Sequence, residues 1–240
     1  MFRHQGKSRT LTHNLKIASL LSFVAGLVNV AGFLAVQKLT TNVTGHFAFF
    51  VDEIFKLNFW AGFIYFIYIF FFFLGSFSSS LFVEIILRKN DRFVFILPIL
   101  IEIAILIFVA IYGQNLILKN ANLLACSLLF AMGLQNSLVT RISNATVRTT
   151  HLTGLFTDLG IELSQLFFYK TKETKNILYS SIKLRLTIIS LFFSGGIMGG
   201  IFYSSLELHV LFIPALLLIL GLIYDNIKFR LIIMKRKYSK

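Results

Sequence analysis

Residues 17–36 read IASLLSFVAGLVNVAGFLAV, a stretch of twenty residues without a charged side chain. The hydrocarbon core of a bilayer is about 30 Å thick, and a helix that crosses it needs roughly 20 apolar residues. Cations precede this stretch, as in a signal peptide, but no clear small-x-small cleavage site follows it. The stretch therefore predicts a first membrane-spanning helix that is retained in the protein.

The rest of the chain is similarly apolar. Of its 240 residues 57% are hydrophobic, and the mean hydropathy is +0.81, whereas soluble domains contain about 45–50% apolar residues. The apolar residues form continuous runs and do not alternate with polar ones, which excludes the strands of a membrane barrel. Helices are the other structure that satisfies its own backbone hydrogen bonds in lipid.

Five later runs have the length and composition of spanning helices. They cover Phe59–Leu87, Phe93–Tyr112, Ala121–Val139, Leu186–Tyr203 and Val210–Tyr224. Two short helices are predicted at His46–Leu57 and within Thr140–Phe168, and a basic linker at Lys170–Lys183 precedes the fifth spanning helix. The expected fold is an all-α, polytopic transmembrane bundle of about six spanning helices and two short helices, in one domain over residues 1–240.

The net charge of +13 comes from cations that are unevenly distributed between the predicted loops. If the N-terminus faces the cytoplasm, the outer segments hold only Lys38, Lys56 and Lys119, and the inner segments and tails hold the other loop cations. This asymmetry follows the positive-inside rule and predicts that both termini are cytoplasmic. The cations thus orient the chain in the membrane, so the lipid bilayer is an expected partner and nucleic acid is not.

The sequence offers no site for a metal, a cofactor or ATP. Cys126 is the only cysteine, which excludes an intramolecular disulfide and a Cys/His cluster. No glycine-rich loop with a lysine, of the kind that binds nucleotide phosphates, occurs in the chain. We therefore expect no cofactor, no metal and no direct use of ATP.

Two motifs recur in the two halves of the chain. GLVN at residues 26–29 matches GLQN at residues 133–136, and both place an asparagine within a predicted spanning helix. Each motif is followed by a hydroxyl-rich turn that ends in Thr-Gly, at residues 44–45 in the first half and 153–154 in the second.

Three further matches occur in the same order. They are an acid after each turn, a pair of small residues in the next spanning helix, and a proline early in the third spanning helix: Asp52 and Asp158, Gly75/Ser79 and Gly195/Gly199, and Pro98 and Pro214. Several matches in a fixed order indicate an internal repeat, over about residues 15–115 and 120–230.

Each half contains three predicted spanning helices, which is an odd number. The second half therefore enters the membrane from the opposite side, and the two Thr-Gly turns are expected to face opposite sides. Many secondary transporters are built from inverted repeats of this kind and bind substrate at the repeat interface near the middle of the bilayer. The expected architecture is thus a pair of inverted three-helix repeats.

The turn motifs also carry a resemblance to a known family. NVTGH at residues 42–46, AMGLQN at 131–136 and VRTTHLTG at 147–154 are similar to those of the YoaK-type (UPF0700-like) family. The resemblance covers about Leu15–Arg230 and implies a bacterial, multi-pass inner-membrane protein in a family grouped under a domain of unknown function. In that family the first turn commonly reads Thr-Gly-Asn, and here His46 occupies the position of the asparagine. The resemblance implies a fold and a location but no substrate.

Asn29 and Asn136 occupy matching positions in two spanning helices. A buried amide without a partner costs several kcal/mol in hydrocarbon, so both amides need partners. One interpretation is a hydrogen bond between helices, which is worth roughly 0.6–2 kcal/mol. The other is a pair of symmetry-related contacts to a substrate.

The two turns supply the remaining candidates for substrate binding. They are Thr41, Asn42, Thr44 and Gly45 in the first turn, and Thr150, Thr153 and Gly154 in the second. We expect Thr44 and Thr153 to cap the short helices that follow. The glycines permit close backbone approach, and a helix N-terminus that points into a polar cavity binds anions, as in the discontinuous helices of transporters.

Three acids are candidates for coupling transport to protons or ions. Glu102 lies near the centre of a predicted spanning helix, where an ionised carboxylate costs at least about 2.5–3.5 kcal/mol. We therefore expect Glu102 to be protonated, or to face a partner inside the bundle. Asp52 and Asp158 follow the two turns, and they either take part in coupling or lie on a solvated interfacial face.

Three classes of function stay open. The favoured class is a small secondary transporter or permease of a small solute, on analogy of fold. A non-catalytic membrane partner or assembly protein is the alternative, and an intramembrane enzyme has the least support. Only Ser137 and His151 resemble a nucleophile and a base, and nothing in their spacing supports the pairing, so we predict no catalytic residue and no enzyme. Self-association into a homo-oligomer is compatible with each class.

Overall fold

The computed structural model describes residues 10–88 and 94–238, and within these residues the chain is all-α, as predicted. The α-helices are α1 (Leu11–Val36), α2 (Thr44–Phe55), α3 (Phe59–Leu87), α4 (Ile96–Ile142), α5 (Leu152–Phe168), α6 (Lys172–Leu206) and α7 (Phe212–Tyr238). A 3-10 turn at Glu207–Leu211 joins α6 to α7.

Four helical segments of the described chain are long and apolar enough to cross a membrane. They are Leu11–Val36, Phe59–Leu87, Ile96–Ile142 and Lys172–Lys228. The finding identifies a multi-pass membrane protein. The short helices α2 and α5, with 12 and 17 residues, lie below the length that a crossing needs.

The third and fourth predicted spanning helices are separated at Asn120, but no loop joins them. Residues 96–142 form one helical element, α4, in which only Asn120 has non-helical dihedral angles, with φ −160° and ψ 83°. The side chain of Asn120 accepts the backbone N–H of Leu123 at 3.2 Å and so caps the helix that follows it. One asparagine thus replaces a loop, because the polar residues before it are compatible with a helix. Phe93, the predicted start of the third helix, lies outside the described residues.

The predicted basic linker at Lys170–Lys183 is wrong, because α6 already begins at Lys172. The side chain of Thr171 accepts the N–H of Thr174, and Glu173 places a negative charge in the first turn, where the helix dipole favours it. α1 likewise begins before the predicted Ile17 and α7 continues beyond the predicted Tyr224. In each case a segment that contains lysine continues an apolar helix, and lysine is a good helix former.

α4 folds back on itself at Asn120. Ile101 and Phe108, from residues 96–119 (the first arm of α4), line a cavity of about 490 Å³ together with Phe130, from residues 121–142 (the second arm). A straight helix would separate Ile101 from Phe130 by about 43 Å at 1.5 Å per residue. The two arms therefore lie side by side.

α1 and α6 cross in direct backbone contact at a pair of glycines, which we call the first glycine crossing. A Cβ atom added to Gly26 would lie 1.9 Å from the carbonyl oxygen of Phe192. A Cβ atom added to Gly195 would lie 2.1 Å from the carbonyl oxygen of Phe23. Both distances are far shorter than a van der Waals contact, so only glycine allows the two backbones to approach this closely.

A second glycine crossing joins α3 to the second arm of α4, with the same geometry. Added Cβ atoms at Gly75 and Gly133 would lie 2.1 Å and 2.2 Å from the carbonyl oxygens of Phe130 and Phe72, respectively. In both crossings, the facing carbonyl belongs to the residue three positions before the partner glycine. The two crossings therefore match each other residue by residue.

α1 and the second arm of α4 run in opposite directions. The Nε2 atom of Gln135 donates to the carbonyl oxygen of Leu21 at 3.0 Å. Farther along α1, the Cδ1 atom of Leu128 lies 2.9 Å from the position of a Cβ atom added to Gly32. Residue numbers thus rise along α1 as they fall along the second arm. The turns that follow these two helices consequently lie at opposite ends of the bundle.

The phenylalanine-rich sequence of α3 separates into two faces. Its small residues Gly75 and Ser79 are buried, and Gly75 faces the second arm of α4. Phenylalanines spaced three or four residues apart are exposed on the protein surface: Phe63, Phe66, Phe70, Phe73 and Phe77. In a bilayer this exposed stripe contacts lipid, whereas close packing on the other face stabilises the helix pair.

The second crossing predicts that Gly133→Ala destabilises the protein, because the new methyl group would collide with the backbone of Phe72. Overpacking of this kind costs about 1–3 kcal/mol and should lower the thermal midpoint of the detergent-solubilised protein. Gly160→Ala in α5 is the matched control, because no atom beyond its chain neighbours and its own helix backbone lies within 4 Å of the added Cβ. Equal midpoints for the two variants would contradict the crossing.

Candidate functional site

The first turn is bound to α1 through a buried threonine. The hydroxyl of Thr41 donates to the Oδ1 atom of Asn29 at 2.7 Å, and the hydroxyl of Thr40 donates to the carbonyl oxygen of Val28 at 3.4 Å. Both threonines are buried. The amide of Asn29 therefore finds its partner in the turn that follows its own helix.

The second turn repeats this arrangement on the second arm of α4. The hydroxyl of Thr150 donates to the Oδ1 atom of Asn136 at 3.0 Å, and the hydroxyl of Thr149 donates to the same atom at 3.4 Å. Gln135 adds a bond that the first turn lacks, from its Nε2 atom to the hydroxyl of Thr149 at 3.3 Å. Sequence reasoning did not assign Gln135 a role, although it stands beside Asn136 in the repeated motif.

The two asparagines thus form separate, equivalent hydrogen bonds, and each is tied to its own turn. The Nδ2 atom of Asn136 is buried and has no hydrogen-bond partner within the described chain. An unsatisfied buried donor costs about 1–3 kcal/mol, so this atom is a ready contact for a solute or a water molecule.

The expected threonine caps are wrong. α2 begins at Thr44 itself and α5 begins one residue before Thr153, and neither helix has a side-chain hydrogen bond at its N-cap. A capping residue must precede the first helical residue, and these threonines come too late. Asn42 instead accepts the backbone N–H of Gly45 at 3.5 Å. Thr44 and Thr153 are exposed.

The glycines of the two turns are covered by different side chains. A Cβ atom added to Gly45 would lie 2.3 Å from the Cδ1 atom of Leu39. At Gly154 the same distance, 2.3 Å, separates the added Cβ atom from the Nδ1 atom of His151. The first turn is therefore packed by an apolar residue and the second by an imidazole.

His46 is fully buried beside the first turn. Its Nε2 atom lies 2.5 Å from the carbonyl oxygen of Leu39, and its ring centroid lies 5.0 Å from that of Tyr68. Burial lowers the pKa of His46, because desolvation disfavours the imidazolium ion. The residue one position after the second Thr-Gly is Leu155, so the second turn has no equivalent of this histidine.

The two aspartates that follow the turns are not equivalent. Asp52 lies on the exposed face of α2 and pairs with Lys56 at 2.5 Å, one helical turn away. Asp158 lies closer to its own Thr-Gly and pairs with the Nη1 atom of Arg185 on α6 at 2.9 Å. Only Asp158 therefore links a short helix to a long one.

Arg185 organises an ion cluster that sequence reasoning missed. Its Nε and Nη2 atoms each lie 2.9 Å from an oxygen of Glu162, and the hydroxyl of Ser181 donates to the same carboxylate at 2.6 Å. The signal was an arginine between leucines at the start of an apolar run, which is a candidate functional residue by default.

Glu102 is fully buried in the first arm of α4. Neither carboxyl oxygen has a hydrogen-bond partner among the residues that the structure describes. An ionised group in such a place would lack both a counterion and a hydrogen-bond donor, so the site disfavours the charged form of Glu102.

Two cavities lie near the second turn and share no lining residue. The second-turn cavity measures about 370 Å³ and is lined by residues that include Arg148, His151, Gly154, Asp158 and Arg185. The serine cleft measures about 510 Å³ and is lined by Ser76, Ser80, Asn136, Ser137, Thr140 and Arg141. Asn136 and the second Thr-Gly thus border different spaces. Among residues 10–88 and 94–238, no group of three metal-ligating side chains comes together.

A family model described as "Protein of unknown function (DUF1275)" matches residues 17–224. This match confirms the resemblance to an uncharacterised family that the turn motifs indicated. No curated protein and no solved structure matches the chain significantly.

The hydrogen bond between Thr41 and Asn29 can be tested by a double-mutant cycle of Thr41→Val and Asn29→Ala. We expect a coupling free energy of about 0.6–2 kcal/mol, measured from the unfolding of the protein in detergent. Thr157→Val is the control for loss of a hydroxyl, because Thr157 bonds only to the carbonyl of Thr153 in its own helix, at 2.9 Å. A coupling of zero would show that the two side chains do not interact.

Proposed function

We propose that this chain, which belongs to the DUF1275 family, is a small secondary transporter with alternating access. In this proposal the two arms of α4 cross the membrane separately, as do α6 and α7, so that six helices span it. Residues 15–115 and 120–230 then form two inverted repeats of three spanning helices each.

The observation that carries the proposal is the matched pair of asparagine–threonine bonds. Asn29 with Thr41 and Asn136 with Thr150 use the same atoms at equivalent positions of two antiparallel helices. The two residue-by-residue glycine crossings support the same symmetry. Two similar units of opposite orientation can exchange their conformations, and each exchange opens a different side of the membrane.

The two turns differ in a way that suggests which side is open. In the first turn Leu39 packs against Gly45, and on the adjoining helices Phe49 stacks on Tyr65 with 5.3 Å between ring centroids. The second turn borders the second-turn cavity, whose charged lining is open to solvent. By the charge distribution, the second turn faces the cytoplasm. We infer that the structure represents an inward-facing conformation.

The proposal includes the location and the class of the protein. We place it in a bacterial inner membrane with both termini in the cytoplasm, as the cation distribution favours. Its partner is a small solute, bound with the help of Asn29, Asn136 and the polar residues of the turns. We assign it no catalytic residue and no enzymatic activity.

Transport should appear as gradient-driven flux in proteoliposomes that contain the full chain. With a panel of small solutes and an imposed pH gradient or membrane potential, we expect uptake of at least one solute. Asn29→Ala with Asn136→Ala should lower that flux at least about tenfold, which corresponds to a loss of about 1.4 kcal/mol for the two contacts together. The control variant Thr157→Val should transport normally.

Two results would oppose transport. One is the absence of flux for every solute when insertion of the protein is verified. The other is that both asparagine substitutions leave the cellular role of the protein unchanged, and that the protein co-purifies with a fixed partner. That second result would favour a membrane assembly protein.

Glu102 is the residue we assign to proton coupling. Glu102→Gln keeps the shape of a protonated carboxyl, so we expect an unchanged thermal midpoint and loss of the dependence of uptake on the pH gradient. Asp52→Asn should leave that dependence intact, because Asp52 is exposed and pairs with Lys56. Uptake by Glu102→Gln that still follows the pH gradient would remove Glu102 from the coupling mechanism and leave Asp158 as the candidate.

A further inference from the structure

We infer that the second-turn cavity binds a small zwitterion with one carboxylate and one ammonium group, of the kind that an α-amino acid presents. The inference rests on the proposed transport function and names the class of its substrate at the second turn, in a cavity separate from the serine cleft that Asn136 lines. The cavity volume of about 370 Å³ lies within the range of small-molecule sites. The distribution of charge around the cavity carries the rest of the argument.

Arg148 supplies the positive side of the cavity. Its side chain is exposed and lines the cavity, and within the described residues no carboxylate lies within ion-pair distance of it. A guanidinium with free N–H donors binds a carboxylate with two parallel hydrogen bonds. The first turn of α5, which no side chain caps, borders the same space through Gly154.

Asp158 supplies the negative side. Arg185 holds both oxygens of Glu162 and also one oxygen of Asp158, so a single guanidinium faces two carboxylates. The cluster therefore has one surplus negative charge. Half of the Asp158 side chain, 50%, is exposed, compared with 13% for Glu162. The surplus charge is thus accessible at Asp158, on the wall of the cavity.

These two charges select among classes of solute. A simple anion would pair with Arg148 but would lie near the surplus charge of Asp158. A simple cation would pair with Asp158 but would lie near the positive charge of Arg148. A zwitterion pairs with both groups and leaves neither uncompensated.

The first turn lacks this set of charges. Counted from the glycines that the two halves share, the positions of Arg148, Asp158 and Arg185 correspond to Leu39, Phe49 and Tyr65. None of these residues is charged, and Phe49 stacks on Tyr65. The charged site is therefore a feature of the second half and not a general consequence of the repeat.

The test uses the purified full chain in detergent and measures thermal stabilisation by added ligands. The probes are neutral L-amino acids from glycine to leucine, each compared with the amine that lacks its carboxylate and the acid that lacks its ammonium group. We expect at least one amino acid to raise the thermal midpoint, and its two analogues to bind at least about tenfold more weakly. Arg148→Gln and Asp158→Asn should each weaken amino-acid binding about tenfold, whereas Lys172→Gln, an exposed cation outside the cavity, should not.

Either of two results would overturn the inference: no amino acid stabilises the protein, or an analogue with one charge binds as well as its parent. Because this assay measures binding alone, its failure is separate from the failure of transport. Amino-acid binding without flux in proteoliposomes would retain the cavity site and reject the transporter. Flux of other solutes without amino-acid binding would retain the transporter and reject the amino-acid site in the cavity.

Discussion

The architecture depends on direct contact between helix backbones, which glycine makes possible at two places. In lipid no hydrophobic force drives apolar helices together, so close packing must hold them. At Gly26 with Gly195, and at Gly75 with Gly133, a carbonyl oxygen occupies the space that a side chain would need. The bulky phenylalanines of α3 are excluded from these contacts and lie on the surface. The arrangement of the spanning helices follows from these few positions.

Polar groups impose a second constraint, because a buried polar atom without a partner costs free energy. The side-chain oxygens of the asparagines in α1 and α4 accept hydrogen bonds from threonines of the turns, which fixes each turn against its helix. The second half adds charge to the same framework, with Arg185 linking α5 to α6. Two equivalent frameworks of opposite orientation are what the proposed alternating-access mechanism requires, because they allow the protein to open to one side of the membrane at a time.

Much of this organisation could be predicted from the sequence. Long apolar runs identify the membrane helices, and the matching of Asn29 with Asn136 identifies the residues that bind the turns. Other features could not be predicted, because they depend on tertiary contacts. Asn120 reverses α4 without a loop, which no local composition signals, and Thr44 and Thr153 resemble caps in sequence but lie inside their helices. The pairing of Arg185 with Glu162 joins residues on separate helices, so spacing along the chain could not reveal it.

The central idea is that two similar units face opposite sides of the membrane, and cysteine accessibility tests it most directly. In a Cys126→Ala background, Thr44→Cys and Thr146→Cys place single thiols on exposed residues of the first and second turns. A membrane-impermeant maleimide should modify Thr44→Cys in intact cells and should modify Thr146→Cys only after the membrane is permeabilised. Modification of both thiols in intact cells, or of neither before permeabilisation, would place the turns on the same side and contradict the account.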